Sequence, residues 1–219
     1  MKAILVNASP RKNGNTATLL DLVREGLEEG GCDTSTVHLN TLSFTGCKGC
    51  LACKVKGNKC NGLCALRDDL RPVLEETLAS DVLVLGSPVY WHYPTALARA
   101  FAERLLFAPL DYVNPGASVL SKKIRCATLY TMHVFNDELF EKQGYGKTLA
   151  VAADELAFLG SAVVEYFRGL SAFPKKGLYA VSPGFEAIFD KIRETDYAAY
   201  EERARDLGRR LAAQKVAQE

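Results

Sequence analysis

Short apolar runs alternate with amphipathic segments along the chain, and this alternation restricts the possible folds more than any other feature of the sequence. Runs rich in β-branched and aliphatic residues predict five strands, at 3–7, 33–39, 81–88, 123–132 and 161–169. Apolar residues at helical spacing predict helices at 16–31, 68–80, 94–106 and 146–160, with one or two more in the tail. Strands that alternate with helices pair in parallel beneath helices on both faces. The sequence therefore predicts an α/β protein with a parallel sheet.

Length and composition predict a single domain over residues 1–219. The 48% hydrophobic content is enough for one good-sized core. Within this domain, residues 41–67 form a predicted cysteine-rich loop inserted after the second strand, and residues 185–219 form a predicted C-terminal helical tail. Pro94 is expected near the first turn of the third helix, where proline is favoured.

Charge and hydropathy narrow the possible partners and location of the protein. The formal net charge of +1 gives no sign of a surface for nucleic acid or anionic lipid. No run approaches the ~20 apolar residues of a membrane span. The first apolar run has five residues before Asn7, and a signal peptide needs roughly 7–15. We therefore expect a cytoplasmic protein that binds neither nucleic acid nor membranes.

Five of the seven cysteines lie in one short loop: Cys47, Cys50, Cys53, Cys60 and Cys64. In a reducing compartment, clustered cysteines are more often metal ligands or catalytic thiols than disulfides. The C-x2-C-x2-C spacing followed by another cysteine suits a cubane iron–sulfur cluster, because each thiolate can bind a different iron. Two knuckles, Cys50-x2-Cys53 and Cys60-x3-Cys64, suit zinc instead. Free thiols without metal are the third alternative.

The loop after the first strand opens the first helix, where backbone N–H groups and the positive helix end bind anions. It contains neither G-x-G-x-x-G nor G-K-S/T, so it is neither a dinucleotide fingerprint nor a P-loop. Its polar side chains predict a cradle for a single phosphate, with an ordinary polar turn as the alternative. The candidate residues are Ser9, Arg11, Asn13, Asn15 and Thr16.

The loop after the third strand carries two adjacent aromatic residues, Tyr90 and Trp91. Ligands of open α/β sheets bind beyond the carboxyl ends of the strands, so these rings are placed to stack on or enclose a flat ligand. Packing beneath the following helix is the equal alternative for Trp91. Elsewhere, Cys126 is expected to be buried packing, and Glu103–Arg104 is expected to be a surface or interface pair.

Three stretches together resemble the flavodoxin-like NAD(P)H-dependent FMN reductase family, and more narrowly its iron–sulfur flavoprotein branch. They are "SPRKNGNT", the cysteine loop ending in "RDDL", and "SPVYW" with the following "FAER", and they cover residues 1 to about 107. The resemblance implies a flavodoxin-like three-layer sandwich, with a five-stranded parallel sheet of order 2-1-3-4-5 and a bound FMN.

The resemblance also implies where FMN binds. Its phosphate is expected on the five residues of the first loop named above, and its isoalloxazine against the backbone after the third strand. A third contact is expected after the fourth strand. The residues of these last two contacts are Pro88, Val89, Tyr90, Trp91, Thr131, Met132 and His133.

For the cysteines, the branch has a compact C-x2-C-x2-C-x4–7-C motif that binds a [4Fe–4S] cluster. Cys47, Cys50, Cys53 and Cys60 match it, with six residues in the last gap. In that branch the last cysteine lies a few residues before an acidic pair, a place that Cys64 holds here. Spacing makes Cys60 the predicted fourth ligand, and Cys64 its competitor.

The predicted function is electron exchange through FMN and the cluster, between an acceptor and a donor such as NAD(P)H or a ferredoxin-like protein. The chemistry belongs to the cofactors, and no side chain is identified as a general acid or base. The resemblance implies a homodimer or homotetramer. One alternative is an NAD(P)H-dependent FMN or quinone reductase whose cysteines hold zinc or nothing. Another is a non-catalytic binding module with a zinc-stapled loop.

Overall fold

The computed structural model of the protein describes residues 1–57, 60–171, 173 and 177–213. Single 3-10 turns lie at Leu39–Thr41 and Ala52–Lys54. In chain order the strands and α-helices are β1 (Lys2–Asn7), α1 (Asn15–Glu29), β2 (Asp33–His38), α2 (Leu70–Ala79), β3 (Val82–Tyr90), β4 (Tyr93–Pro94), α3 (Ala96–Phe107), β5 (Ile124–Thr131), α4 (Asp137–Lys142), α5 (Tyr145–Ala157), β6 (Gly160–Phe167), α6 (Pro183–Thr195) and α7 (Tyr197–Ala213).

The five long strands form one parallel sheet in the order β2-β1-β3-β5-β6. Because β5 and β6 are the fourth and fifth long strands, this is the predicted order 2-1-3-4-5. A sixth strand, β4, has two residues and pairs antiparallel with the end of β3. The predicted flavodoxin-like sheet is therefore confirmed, with one short strand added.

Helices cover both faces of the sheet because side chains alternate along each strand. In β1, Ala3 and Leu5 pack in a core with α1 and α7, whereas Ile4 and Val6 pack in a second core with α2, α3 and α5. Cys126 of β5 is 1% exposed in the second core, so its predicted packing role is confirmed. Burial raises the pKa of its thiol to about 12. None of the helices in the described part of the chain has the length and apolar character needed to cross a membrane.

The sequence pattern does not predict the hairpin between β3 and β4. Pro94 is expected in the first turn of the third helix, but the chain reverses before it and Pro94 lies in β4. Thr95 caps α3 instead, with its hydroxyl oxygen accepting a hydrogen bond from the N–H of Ala98 at 3.3 Å. Strand β3 is therefore longer than predicted, and a turn follows it at the edge of the sheet where ligands bind.

Helices α1 and α7 pack so closely that backbone meets backbone. A Cβ added to Gly208 of α7 would overlap the carbonyl oxygen of Val23, and one added to Gly26 of α1 would overlap the carbonyl oxygen of Arg205. Glycine is therefore required on both helices by the distance between them. This contact attaches the C-terminal helix to the first one.

Gly208→Ala is expected to lower the free energy of unfolding by about 1–3 kcal/mol, the usual cost of overpacking. Helix propensity alone would raise it by about 1 kcal/mol. Gly184→Ala is the matched control, since Gly184 is an exposed residue of α6 and its added Cβ would lie 3.7 Å from the nearest atom. Urea unfolding followed by circular dichroism measures both variants. Equal stability of the two variants would contradict the close contact.

Candidate functional site

The loops after β1, β3, β5 and β6 leave the sheet at one edge, the carboxyl end of its parallel strands. Thr95 joins the first two. Its hydroxyl donates to the carbonyl oxygen of Ala8 at 2.8 Å, and its N–H donates to Oγ of Ser87 at 3.0 Å. The hydroxyls of Thr16 and Thr131, 2.7 Å apart, join the first loop to the end of β5. The loops after β1, β3 and β5 therefore meet at one edge, where the predicted Thr16 and Thr131 are in contact.

The loop of residues 8–14 turns tightly before α1 begins. The N–H of Ser9 donates to Oδ1 of Asn7 at 2.8 Å, and the N–H of Arg11 donates to Oγ of Ser9 at 3.1 Å. Ser9 is buried, whereas Arg11 and Asn13 are exposed. The first turn of α1 begins at this loop, with its N–H groups and the positive end of its dipole. Such a loop at a helix N-terminus can bind an anion.

A cavity of about 450 Å³ lies beside this loop, with Arg11, Asn13 and Asn15 along one side. The side-chain amide of Asn15 also donates to the carbonyl oxygen of Ser171 at 3.0 Å, which draws the segment after β6 over the loop. The sequence pattern does not predict the residues of the opposite wall. Their one sequence signal is a glycine two residues after the fifth long strand. They are Gly169, Leu170, Phe173, Phe189, Arg193 and Tyr197.

The backbone is strained at the tip of the hairpin between β3 and β4. Trp91 and His92 both have positive φ, at 50° and 75°, in the region that glycine and asparagine prefer. Such residues cost of order 1–3 kcal/mol each and are found at ligand sites. The ring of His92 stacks on Tyr145 of α5, with centroids 4.5 Å apart. Trp91 is 91% exposed, so the alternative that it packs beneath the following helix is wrong.

In the strand end that leads to this tip, residues 88–90, the side chains become more exposed toward the tip. Pro88 and Val89 are partly buried, and Tyr90 is exposed. These residues continue β3 beyond the sheet core, with Val89 and Tyr90 pairing with β4. The segment predicted to contact the flavin ring is therefore the extended end of β3, which leads to the exposed indole of Trp91.

The three residues predicted after the fourth long strand have different environments. Thr131 is buried and faces the first loop through its hydroxyl. The N–H of Met132 donates to the carbonyl oxygen of Phe167, and its own carbonyl accepts from the N–H of Leu170, both at 3.0 Å. Its side chain lies in a third apolar cluster. His133 is exposed. Of these three, Thr131 makes the contact with the first loop.

The cysteine-rich loop brings four cysteines around one small cavity. Cys47, Cys50, Cys53 and Cys64 line it, while Cys60 is not among its lining residues. Cys47 and Cys50 are exposed, Cys53 is half-buried and Cys64 is buried. Burial raises the pKa of the Cys53 thiol. Among the described residues, no three histidine, cysteine, aspartate or glutamate side chains are placed to share one metal ion.

Two residues of α3 hold this loop, Glu103 and Arg104, which the sequence predicts to be a surface or interface pair. Arg104 is 1% exposed and buried within the chain, so that expectation is wrong for it. Its neighbour Glu103 accepts a hydrogen bond from the N–H of Cys47 at 3.2 Å. A signal was present in the sequence, because Arg104 lies three residues after the buried Phe101, on the apolar face of α3.

Comparison with known proteins gives a family match and several relatives. The family model of NADPH-dependent FMN reductase matches residues 1–132. An iron–sulfur flavoprotein of Archaeoglobus fulgidus is 36% identical over 106 residues, which cover 48% of this chain and 46% of that protein. An iron–sulfur flavoprotein of Methanocaldococcus jannaschii is 32% identical over 104 residues, 48% of this chain and 51% of that protein. The chain is thus matched over about half the length of these relatives.

Solved structures match over nearly the whole chain. An NAD(P)H:quinone oxidoreductase from Methanothermobacter marburgensis has a TM-score of 0.70 at 16% identity, covering 98% of each chain. An azoreductase from Bacillus anthracis has a TM-score of 0.62 at 16% identity, covering 96% of this chain and 99% of that one. At such low identity these matches show the fold alone.

Proposed function

We propose that this chain, which belongs to the NADPH-dependent FMN reductase family, is an FMN-dependent oxidoreductase that takes electrons from a nicotinamide donor. The observation that carries the proposal is the meeting of an anion-binding loop with an exposed aromatic hairpin at the carboxyl edge of the sheet. FMN has a phosphate for the first feature and a flat ring for the second. When bound, FMN accepts a hydride as two electrons and releases them singly.

The first loop fits the phosphate of FMN. The positive end of α1 attracts an anion, and the hydroxyl of Ser9 has a proton that it can donate, because its oxygen accepts from the N–H of Arg11. Arg11 adds a positive charge, and Asn13 adds amide donors. Thr16 supports the loop from below through Thr131. These residues would bind the phosphate and fix the position of the flavin.

The end of β3 fits the flavin ring. Residues 88–90 leave the sheet as extended backbone, which can lie flat against a ring, and the chain turns at Trp91. The exposed Tyr90 and Trp91 offer aromatic faces beside that backbone. His92 is fixed by its stacking on Tyr145, which holds the hairpin in place. These residues would orient the ring and shield it from water.

We further propose that the cysteine-rich loop holds a [4Fe–4S] cluster. The relatives named iron–sulfur flavoproteins support this, as does the shared cavity of four cysteines. A cubane cluster binds one thiolate to each iron, so its ligands surround it and do not converge on one ion. The cavity favours Cys64 over Cys60 as the fourth ligand, against the assignment made from spacing.

With both groups present, the protein would convert two-electron donation into single-electron transfers. A ferredoxin-like protein fits such a scheme as an alternative electron partner. The cytoplasmic location and the homodimer or homotetramer expected from the sequence stay predictions. Light scattering of the flavin-loaded protein tests the assembly, and a monomer would contradict it.

A cluster-free reductase is the second candidate function. It is favoured by the absence, among the described residues, of a group of side chains placed to share one metal ion. In that case the cysteines are free thiols, because zinc needs several ligands around one ion, and FMN or a quinone is the electron acceptor. The non-catalytic binding module has no comparable support, because the chain is a member of a flavin reductase family.

Arg11→Ala is expected to weaken FMN binding about tenfold and to leave riboflavin binding unchanged, because riboflavin lacks the phosphate. A hydrogen bond to a charged group contributes about 1.5–3 kcal/mol, and 1.4 kcal/mol is tenfold in affinity. Quenching of the fluorescence of Trp91, the one tryptophan of the chain, measures both affinities. Lys12→Ala is the matched control, since Lys12 is an exposed neighbouring cation. Equal losses for the two flavins would contradict the phosphate site.

Cys64→Ala is expected to abolish the cluster, whereas Cys60→Ala is expected to retain it. The reason is that Cys64 shares the cavity of the other three cysteines. Iron and acid-labile sulfide, measured per chain on protein purified without oxygen, give the result. The reverse outcome would restore Cys60 as the ligand. Full cluster content in both variants would contradict either assignment.

A further inference from the structure

The guanidinium of Arg104 closes the base of the cysteine-rich loop. It pairs with Asp68 at 2.5 Å, and the same nitrogen, Nη1, donates to the carbonyl oxygen of Thr45 at 3.3 Å. Nη2 donates to the carbonyl oxygen of Leu66 at 3.3 Å. Thr45 precedes the first cysteine of the loop, and the other two partners follow the last one. One side chain of α3 therefore fastens both ends of the loop.

The fourth contact of this guanidinium is with a sulfur atom. Its Nε–H donates to Sγ of Cys64 at 3.3 Å. The Arg104 side chain is 0% exposed, and Cys64 is also buried. Sulfur is a weak acceptor as a thiol, and a hydrogen bond to an ionised group is about twice as strong as one between neutral groups. The geometry therefore places a buried positive charge and an N–H donor directly against the Cys64 sulfur.

We infer that Arg104 is a positioning residue for the Cys64 sulfur and raises the reduction potential of the cluster that the cysteines hold. This inference rests on the proposed function. The one-electron reduction of a cluster adds one negative charge to it. A cation in a water-excluded site stabilises that charge more strongly than one in water would. Hydrogen bonds to the sulfurs of a cluster act in the same direction.

Asp68 weakens the effect of the Arg104 cation on the cluster, because its carboxylate partly neutralises that charge. Its Oδ2 pairs with Arg104, while its Oδ1 is buried with no partner among the described residues. The pair therefore carries a partly compensated cation beside the sulfur. Replacing the carboxylate by an amide leaves the cation uncompensated, so the two residues are expected to shift the potential in opposite directions when changed.

Arg104→Lys tests the inference, because it keeps the positive charge and removes the Nε–H that bonds to sulfur. The measurement is a redox titration of the cluster followed by electron paramagnetic resonance, on the full chain loaded with FMN and iron. At a fixed ambient potential, the ratio of reduced to oxidised cluster is expected to fall about tenfold, which is 59 mV for one electron. Arg99→Lys makes the same change at an exposed position of α3, 58% exposed, and is expected to leave the ratio within about twofold.

The possible results distinguish a failure of this inference from a failure of the proposed function. A folded Arg104→Lys chain that binds FMN but has lost its iron supports the positioning role. A variant with full iron content and an unchanged ratio overturns the inference alone. A wild-type chain that binds no iron overturns the proposed cluster and the inference with it.

If the Arg104→Lys variant does not fold, the Asp68→Asn variant tests the inference instead. Its ratio of reduced to oxidised cluster is expected to rise several-fold, since the buried cation is then uncompensated. An unchanged ratio in that variant would overturn the inference.

Discussion

Helix α3 carries the constraint on which both candidate sites depend, because it is bound to each of them at a different point. At its start, the Thr95 hydroxyl donates to the carbonyl oxygen of Ala8 and caps the helix. Ala8 belongs to the loop of residues 8–14, the proposed phosphate loop. Near its end, the buried guanidinium of Arg104 fastens the cysteine-rich loop. Nine residues of helix separate the two, which is about 14 Å at 1.5 Å per residue. A rigid element thus sets the spacing between the proposed flavin edge and the cysteine-rich loop.

The remaining loops are arranged around that helix. The strained hairpin before it exposes Trp91, and the stacking of His92 on Tyr145 attaches the hairpin to α5. On the opposite face of the sheet, α7 packs on α1 through Gly208, which supports the helix that begins at the phosphate loop. The tail also supplies a wall of the cavity beside that loop. The family motifs and the C-terminal tail therefore contribute to the same edge of the sheet.

Local sequence pattern predicted the elements whose identity depends on local chemistry. The five long strands follow from their apolar β-branched runs, and the polar turn between β1 and α1 follows from its polar residues. The hairpin at Trp91 could not be predicted in this way, because neither tip residue is the glycine or asparagine that marks such turns. The six-residue helix α4 (Asp137–Lys142) is too short for a periodic signal. Its cap, Asn136, becomes recognisable once the fold places it.

Contacts between distant segments account for the other misses. Arg104 looks like a surface residue beside Glu103, and its burial follows from loop segments around 40 to 60 residues earlier in the chain. Phe189, Arg193 and Tyr197 meet the phosphate loop across more than 170 residues of sequence. The choice between Cys60 and Cys64 is of the same kind. Spacing is ambiguous because Cys60 fits the length of the gap and Cys64 fits the place before the acidic pair, whereas the folded loop brings Cys64 to the cavity of the other three cysteines.

The central claim is that one domain holds a flavin and an iron–sulfur cluster at the two ends of α3. Its most direct test is the content of flavin, iron, acid-labile sulfide and zinc per chain, on protein purified without oxygen. The account predicts one FMN with about four irons and four sulfides, the composition of one cubane. FMN with zinc or with no metal would contradict the cluster, and a chain without flavin would contradict the account as a whole.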